Sequence, residues 1–253
     1  MILTVLACLI CGAGIGFLGG ILGIGGGLIA IPALGLVLGM SQQMAQGTAL
    51  VMVLPTVMLA VRKYNQQARI DMAVAACGAA TAIVFTWLGA RMALGIDPTL
   101  LRRSFAVFLF GIGVFYVWQT WRRPKPAAAA ARVPGLTRVQ AAGLGVLAGT
   151  LGGFFGVGGA VLAVPLMTSV FKLTQTAAQA LALTMVIPGA CVALLTYAVG
   201  GQTDWVVGLS LAAGSLTLVP VGVRLAYRLP ERTLRGAFAA MLFVTVLLLL
   251  AKT

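Results

Sequence analysis

Histidine is absent from this 253-residue chain, and acids are nearly so: Asp71, Asp97, Asp204 and Glu231 are the whole set. A Ser-His-Asp triad and a histidine-based metal site are therefore excluded. General acid–base catalysis loses its usual groups, so the chain reads as a non-enzyme with no cofactor. Charge of both signs is scarce, 8% of residues against roughly 25% in a soluble domain, which leaves no ordinary water-facing surface. No G-x-x-x-x-G-K-[ST] phosphate loop occurs, so ATP-driven transport would need a separate subunit. The four cysteines, Cys8, Cys11, Cys77 and Cys191, all lie in apolar runs. Cys8 and Cys11 form a C-x-x-C without a basic neighbour to activate a thiol, and they read as small packing residues.

What is present is apolar. The chain is 61% hydrophobic with a mean hydropathy of +1.09. The stretches 72–90, 104–121, 205–223 and 236–250 each come near the ~20 residues that a membrane helix needs. The solvent of this fold is a lipid bilayer. The net charge of +13 sits in short segments between apolar runs: Arg62, Lys63 and Arg69; Arg122 to Arg138; Arg224 to Arg235. That clustering orients membrane proteins, with Lys and Arg on the cytoplasmic side, and no nucleic-acid partner is implied. The apolar N-terminus lacks a basic n-region and a small-x-small cleavage site, and reads as a retained first span.

The chain is one unit written twice. Laying Gly16–Gly111 on Gly149–Val244 without a gap, an offset of 133 residues, gives 33 identities in 96 pairs. Gly19-Gly20-x-x-Gly23-x-Gly25-Gly26 meets Gly152-Gly153-x-x-Gly156-x-Gly158-Gly159, and Pro32 meets Pro165. Gln42, Gln46, Pro55, Tyr64 and Asp71 meet Gln175, Gln179, Pro188, Tyr197 and Asp204, and Arg91 and Arg102 meet Arg224 and Arg235. Apolar composition alone does not produce matches of this polar, glycine and proline kind. The organisation is a first membrane repeat (1–121), a basic cytoplasmic linker (122–138) and a second membrane repeat (139–253). Each repeat has five apolar segments, near 2–22, 27–40, 43–61, 71–90 and 104–121, then 139–155, 160–172, 176–197, 205–223 and 236–251. The fold class is all-α and polytopic, with eight to ten membrane helices including short broken or re-entrant ones. The second segment of each repeat is too short for an untilted span. Placing Arg62–Arg69, the linker and Arg224–Arg235 inside puts the 91–103 and 198–203 loops outside, although Arg91, Arg102 and Arg103 run against the rule. Both termini are then periplasmic. Equivalent loops fall on opposite faces, as an inverted repeat with an odd number of elements requires.

Two readings of the doubled glycine cluster stand side by side. Small residues let membrane helices pack closely. Alternatively, Gly23, Gly25 and Gly26, with Gly156, Gly158 and Gly159, break a helix so that the next helix start offers backbone N–H groups and a partial positive charge to an oxyanion. Downstream, Gln46 and Thr48 in one copy and Gln179 and Thr184 in the other either bridge helices or donate to the same anion. Pro55 and Pro188 loosen those helices and permit bending. Asp71 and Asp204 each open an apolar run, as helix N-caps or as carboxylates that couple transport to protons. Arg91 and Arg224, and Arg102 and Arg235, flank span ends as anchors or as recruiters of an anion.

With the repeat, the doubled glycine–proline cluster and the stretch Gly89-Ala90-Arg91…Pro98…Leu101-Arg102 in hand, the sequence resembles the TauE/SafE family of sulfite and organosulfonate exporters. The resemblance runs from about Ile10 to Leu250. It implies a permease in the bacterial inner membrane for a small sulfur-containing anion such as sulfite or a sulfonate. The expected function is a secondary transporter using alternating access, with a passive anion channel or a non-transporting membrane subunit as the alternatives. Protons enter as a candidate coupling ion, and nothing in the pattern opposes homo-oligomerisation.

Overall fold

The computed structural model describes residues 2–65, 72–121 and 136–250. Ten helices account for nearly all of them, in the order α1 (Ile2–Leu22), α2 (Gly27–Val37), α3 (Gln42–Asn65), α4 (Met72–Leu94), α5 (Pro98–Trp121), α6 (Arg138–Phe155), α7 (Ala160–Ser169), α8 (Gln175–Val199), α9 (Trp205–Arg228) and α10 (Glu231–Leu250). No strand occurs among the described residues. Seven of the helices are long and apolar enough to cross a membrane. The protein is a multi-pass membrane protein. The exceptions are α2 and α7, at 11 and 10 residues, and α6, whose 18 residues begin with Arg138 and Gln140. At 1.5 Å per residue, α2 and α7 reach about half of a ~30 Å hydrocarbon core.

Several helices run further than their apolar windows. α5 begins at Pro98 and not near 104, and α10 begins at Glu231 and not near 236. Capping and dipole chemistry extends these ends beyond the hydrophobic run. The Asp97 carboxylate accepts from the backbone N–H groups of Thr99 and Leu100, and Pro98 occupies the first helical position, where a missing N–H costs nothing. Those two backbone donors hold the exposed Asp97 carboxyl below its ordinary range. Thr137 and Gln140 form a reciprocal capping box at α6, and Thr174 caps α8; side-chain caps of this kind satisfy first-turn N–H groups.

Glycine ladders build the longest helix contacts. α1 lies against α9 through Gly12, Gly16 and Gly20, where an added Cβ would strike the backbone of Leu211, Ser215 and Val219. α6 lies against α4 through Gly145, Gly149 and Gly153, where it would strike Gly78, Ala82 and Thr86. Glycine every fourth residue makes one flat stripe that admits a neighbouring backbone, the usual device for packing helices in lipid. These six positions correspond at the 133-residue offset, so the first helix of each copy packs on the fourth helix of the other in the same way. α3 and α8 cross at the centre, and the end of each meets the start of the other: Tyr64 reaches Gln179, and Tyr197 reaches Gln46. These two helices therefore run antiparallel. Stacked rings close the flanks, with Phe105 and Phe108 on Phe155 and Tyr116 on Phe238.

Candidate functional site

Both glycine clusters break the chain. Gly23, Gly25 and Gly26 have φ of 64°, 71° and 82°, and Gly156, Gly158 and Gly159 have φ of 67°, 74° and 74°. A residue with a Cβ is strained in this left-handed region. Close packing, the other role read for glycine, holds as well: the α1 and α6 ladders lie against neighbouring helices, Gly19 and Gly152 lie against the turns, and a Cβ on Gly159 would strike the backbone of Ala148. Each turn reverses the chain into a short helix whose cap residue, Gly26 or Gly159, supplies no side-chain hydrogen bond. The first-turn N–H groups of α2 and α7 thus lack the acceptor that a Ser, Thr or Asp cap would provide. The two turns adjoin: a Cβ on Gly27 would lie 3.7 Å from the Cα of Val157 and 3.9 Å from the carbonyl oxygen of Gly156.

Each turn is seated on the glutamine of the opposite copy. Gly23 packs on the Gln179 side chain and Gly156 on that of Gln46; both glutamines are fully buried. Gln179 donates through Nε2 to the Leu22 carbonyl at 2.7 Å and accepts at Oε1 from the Tyr64 hydroxyl at 3.0 Å. The Tyr64 hydroxyl also lies 3.0 Å from the Gly20 carbonyl. In the other half the Tyr197 hydroxyl donates to Gln46 Oε1 at 2.8 Å and lies 3.1 Å from the Gly153 carbonyl. The halves then differ. Gln46 Nε2 finds no partner, where its counterpart holds the carbonyl that ends α1. A buried donor left open costs about 1–3 kcal/mol. One amide packed beside Gly156 therefore keeps a hydrogen to give.

The remaining candidates divide. Thr48 is buried and its hydroxyl accepts from the backbone N–H of Asp204 at 2.9 Å, so it ties α3 to the start of α9. Thr184 bonds the Ala180 carbonyl of its own helix at 2.8 Å. Asp204 caps α9, its carboxylate accepting from Val207 N–H at 3.0 Å. Asp71 lies outside the described residues. Pro55 and Pro188 sit in mid-helix, where each removes the donor for the carbonyl four residues earlier, Val51 or Thr184. Tyr64 and Tyr197 were not read from sequence as site residues. Their signal was present: a tyrosine 18 residues after each glutamine, duplicated at the same offset. Among the described residues no cluster of His, Cys, Asp or Glu could hold a metal ion.

The family profile of the sulfite exporter TauE/SafE matches residues 8–249. The chain belongs to the TauE/SafE sulfite exporter family. It is also 25% identical over 215 residues to a probable membrane transporter protein of Xylella fastidiosa (strain 9a5c), an overlap of 85% of this chain and 82% of that one. No solved structure gives a significant match. TauE/SafE proteins form a membrane transporter family and not an enzyme family, in keeping with a centre built from backbone, amides and phenols.

Proposed function

We propose that this TauE/SafE member is a secondary transporter of the bacterial inner membrane that carries a small sulfur-containing anion, such as sulfite or an organosulfonate, by alternating access. The observation that carries this reading is the meeting of two uncapped helix starts beside the open amide of Gln46. Such a place has donors and positive partial charge but no acid, and it suits an oxyanion. A sulfonate or sulfite offers three oxygens, enough to accept from both helix starts and from an amide. Substrate lies between the repeats at Gly23, Gly25 and Gly26, Gly156, Gly158 and Gly159, with Gln46 and Gln179 on either side. Non-helical backbone at membrane depth is tolerated where protein covers it or where it lines a cavity. The turns are covered in this conformation, so access requires α3 and α8 to part, with Pro55 and Pro188 as bending points.

Inverted topology is part of the proposal. The reciprocal α1–α9 and α4–α6 contacts and the antiparallel crossing of α3 and α8 support it, as does the basic end of α3 at Arg62 and Lys63. The linker is then cytoplasmic and both termini periplasmic.

The test is sulfite counterflow in proteoliposomes, with taurine and sulfate as further substrates. Transport that saturates, shows trans-stimulation and is lost in Gly25→Ala and Gly158→Ala, each assayed at a temperature where it remains folded, is the expected result. Unsaturable flux would indicate a channel. Normal transport by both variants would remove the glycine turns from the mechanism.

A further inference from the structure

The repeat gives each copy an arginine in the second turn of its fifth helix and a glutamine at the start of its third, Arg102 with Gln42 and Arg235 with Gln175. In the second copy this constellation holds a carboxylate. Glu231 meets the Arg235 guanidinium at 3.3 Å through Oε2, and its Oε1 accepts from the backbone N–H of Gln175, the first residue of α8, at 3.2 Å. One acid thus joins a guanidinium to a helix start. In the first copy the residue at the Glu231 position is Pro98, which cannot supply that group. Asp97 is committed to capping α5 through Thr99 and Leu100, and among the described residues Arg102 forms no ion pair. Gln42 is only 7% exposed, and its Nε2 has no hydrogen-bond partner. The Nε of Arg102 is likewise buried without one, but so are the Nε of Arg235 and both amide atoms of Gln175 in the second copy. The copies therefore differ in the carboxylate itself, which joins Arg235 to the N–H that opens α8 and has no equivalent at Arg102. The Gln42 and Arg102 side chains line one narrow, partly open cavity with Ile31, Pro32, Leu36 and Leu249.

We propose that this cavity is an anion site, separate from the glycine turns, in which a small oxyanion or carboxylate takes the place that Glu231 fills in the second copy. The ligand accepts from the Arg102 guanidinium, from the Gln42 amide and from the N–H groups that open α3. Charge, a buried open amide and a helix start converge there, and the second copy supplies a template for what fits: a group with two acceptor oxygens. Phosphate oxygens of an anionic lipid and a free oxyanion share this chemistry.

Binding of radiolabelled sulfate to the purified full chain in phosphatidylcholine nanodiscs tests the proposal, with chloride holding ionic strength constant. Arg102→Gln is expected to weaken binding at least tenfold. Pro98→Glu, which grafts the acid of the second copy into the first, is expected to abolish the Arg102-dependent binding while raising the melting temperature. Glu231→Ala should add a second sulfate per chain at Arg235. Gln46→Leu, a change at the glycine turns, should leave the Arg102-dependent sulfate in place. Adding phosphatidylglycerol separates the sources: competition with sulfate that vanishes in Pro98→Glu assigns the occupant as a lipid phosphate, and absence of competition assigns a free anion. Sulfate binding that is undiminished in both Arg102→Gln and Pro98→Glu, or that is lost only in Gln46→Leu, overturns the proposal, as does no binding of sulfate or phosphatidylglycerol.

Discussion

Adding one methyl group to a glycine turn should cost more in the first copy than in the second. Gly25 and Gly158 have nearly the same backbone, φ of 71° and 74°, so Ala at either position incurs a left-handed penalty of about 1–2 kcal/mol. Their surroundings differ. A Cβ on Gly25 would lie 2.5 Å from Val57 Cγ2 and 3.2 Å from Val53 Cγ1, both in the fully packed face of α3. A Cβ on Gly158 would lie 3.0 Å from Val186 Cγ1 and meet nothing else before 4.0 Å. The residue at the Val57 position in the second copy is Ala190, which explains the extra room. Overpacking a filled core costs about 1–3 kcal/mol. Gly25→Ala is therefore expected to destabilise by about 2–5 kcal/mol and Gly158→Ala by about 1–2 kcal/mol. In the double variant Gly25→Ala/Val57→Ala, relief of the clash should recover part of the loss, so the two changes should be non-additive. Melting of the purified protein in one detergent ranks the set, and denaturant titration gives the differences. Equal losses at the two glycines, or strict additivity of Gly25→Ala with Val57→Ala, would refute the packing argument.

Asp204→Asn should leave stability nearly unchanged, because Asn caps as well as Asp, whereas Asp204→Ala should cost about 1 kcal/mol; melting temperatures check both. As a cap, Asp204 should also leave the pH profile of transport unaltered in Asp204→Asn, and a shifted profile would show that its carboxylate carries protons. Lys172 is the only non-glycine with positive φ among the described residues, at 54°, and the equivalent position in the first copy is Gly39 at 67°. Lys172→Gly should thus raise stability by up to about 1 kcal/mol, and an unchanged or lower melting temperature would contradict this.

Much of this architecture was legible because the chain states it twice. All five segments of each copy were placed, since a lipid solvent makes hydropathy a nearly complete guide to helices. Helix ends were less legible. Asp97 and Pro98 start α5 by capping, before the apolar run begins, and hydropathy does not register a cap. α6 is a helix despite a low-hydropathy start, because Thr137 and Gln140 satisfy its first turn. The glycine turns were visible from Gly23 to Gly26 and again from Gly156 to Gly159, yet composition alone left packing and breaking unresolved. The φ values show that these glycines break the helix, and their surroundings show that most of them pack closely as well. The pairing of Gln46 with Tyr197, and of Gln179 with Tyr64, crosses from one copy to the other over 151 and 115 residues. No local pattern encodes which copy's tyrosine meets which glutamine; that follows only once α3 and α8 cross.

The difference between Gln46 and Gln179 then acquires a measurable meaning. The two occupy equivalent positions, are equally buried and each accept from a tyrosine, so their hydrophobic surroundings largely cancel in a comparison. What remains is the amide donor: Gln179 Nε2 holds the Leu22 carbonyl, and Gln46 Nε2 holds nothing. Replacing Gln179 by Leu leaves the Leu22 carbonyl and the Tyr64 hydroxyl each short of a partner. Replacing Gln46 by Leu strands only one bond and removes an amide that was already costly to bury. Gln179→Leu should thus destabilise more than Gln46→Leu, by about the 0.5–1.5 kcal/mol of one net hydrogen bond together with the stranded carbonyl. Bound oxyanion reverses the ranking if it uses the open donor. Sulfite should then raise the melting temperature of Gln179→Leu more than that of Gln46→Leu, because only the former retains Gln46 to receive it. Equal stabilisation of the two variants by sulfite would mean that the open amide is a packing defect and not part of the anion site.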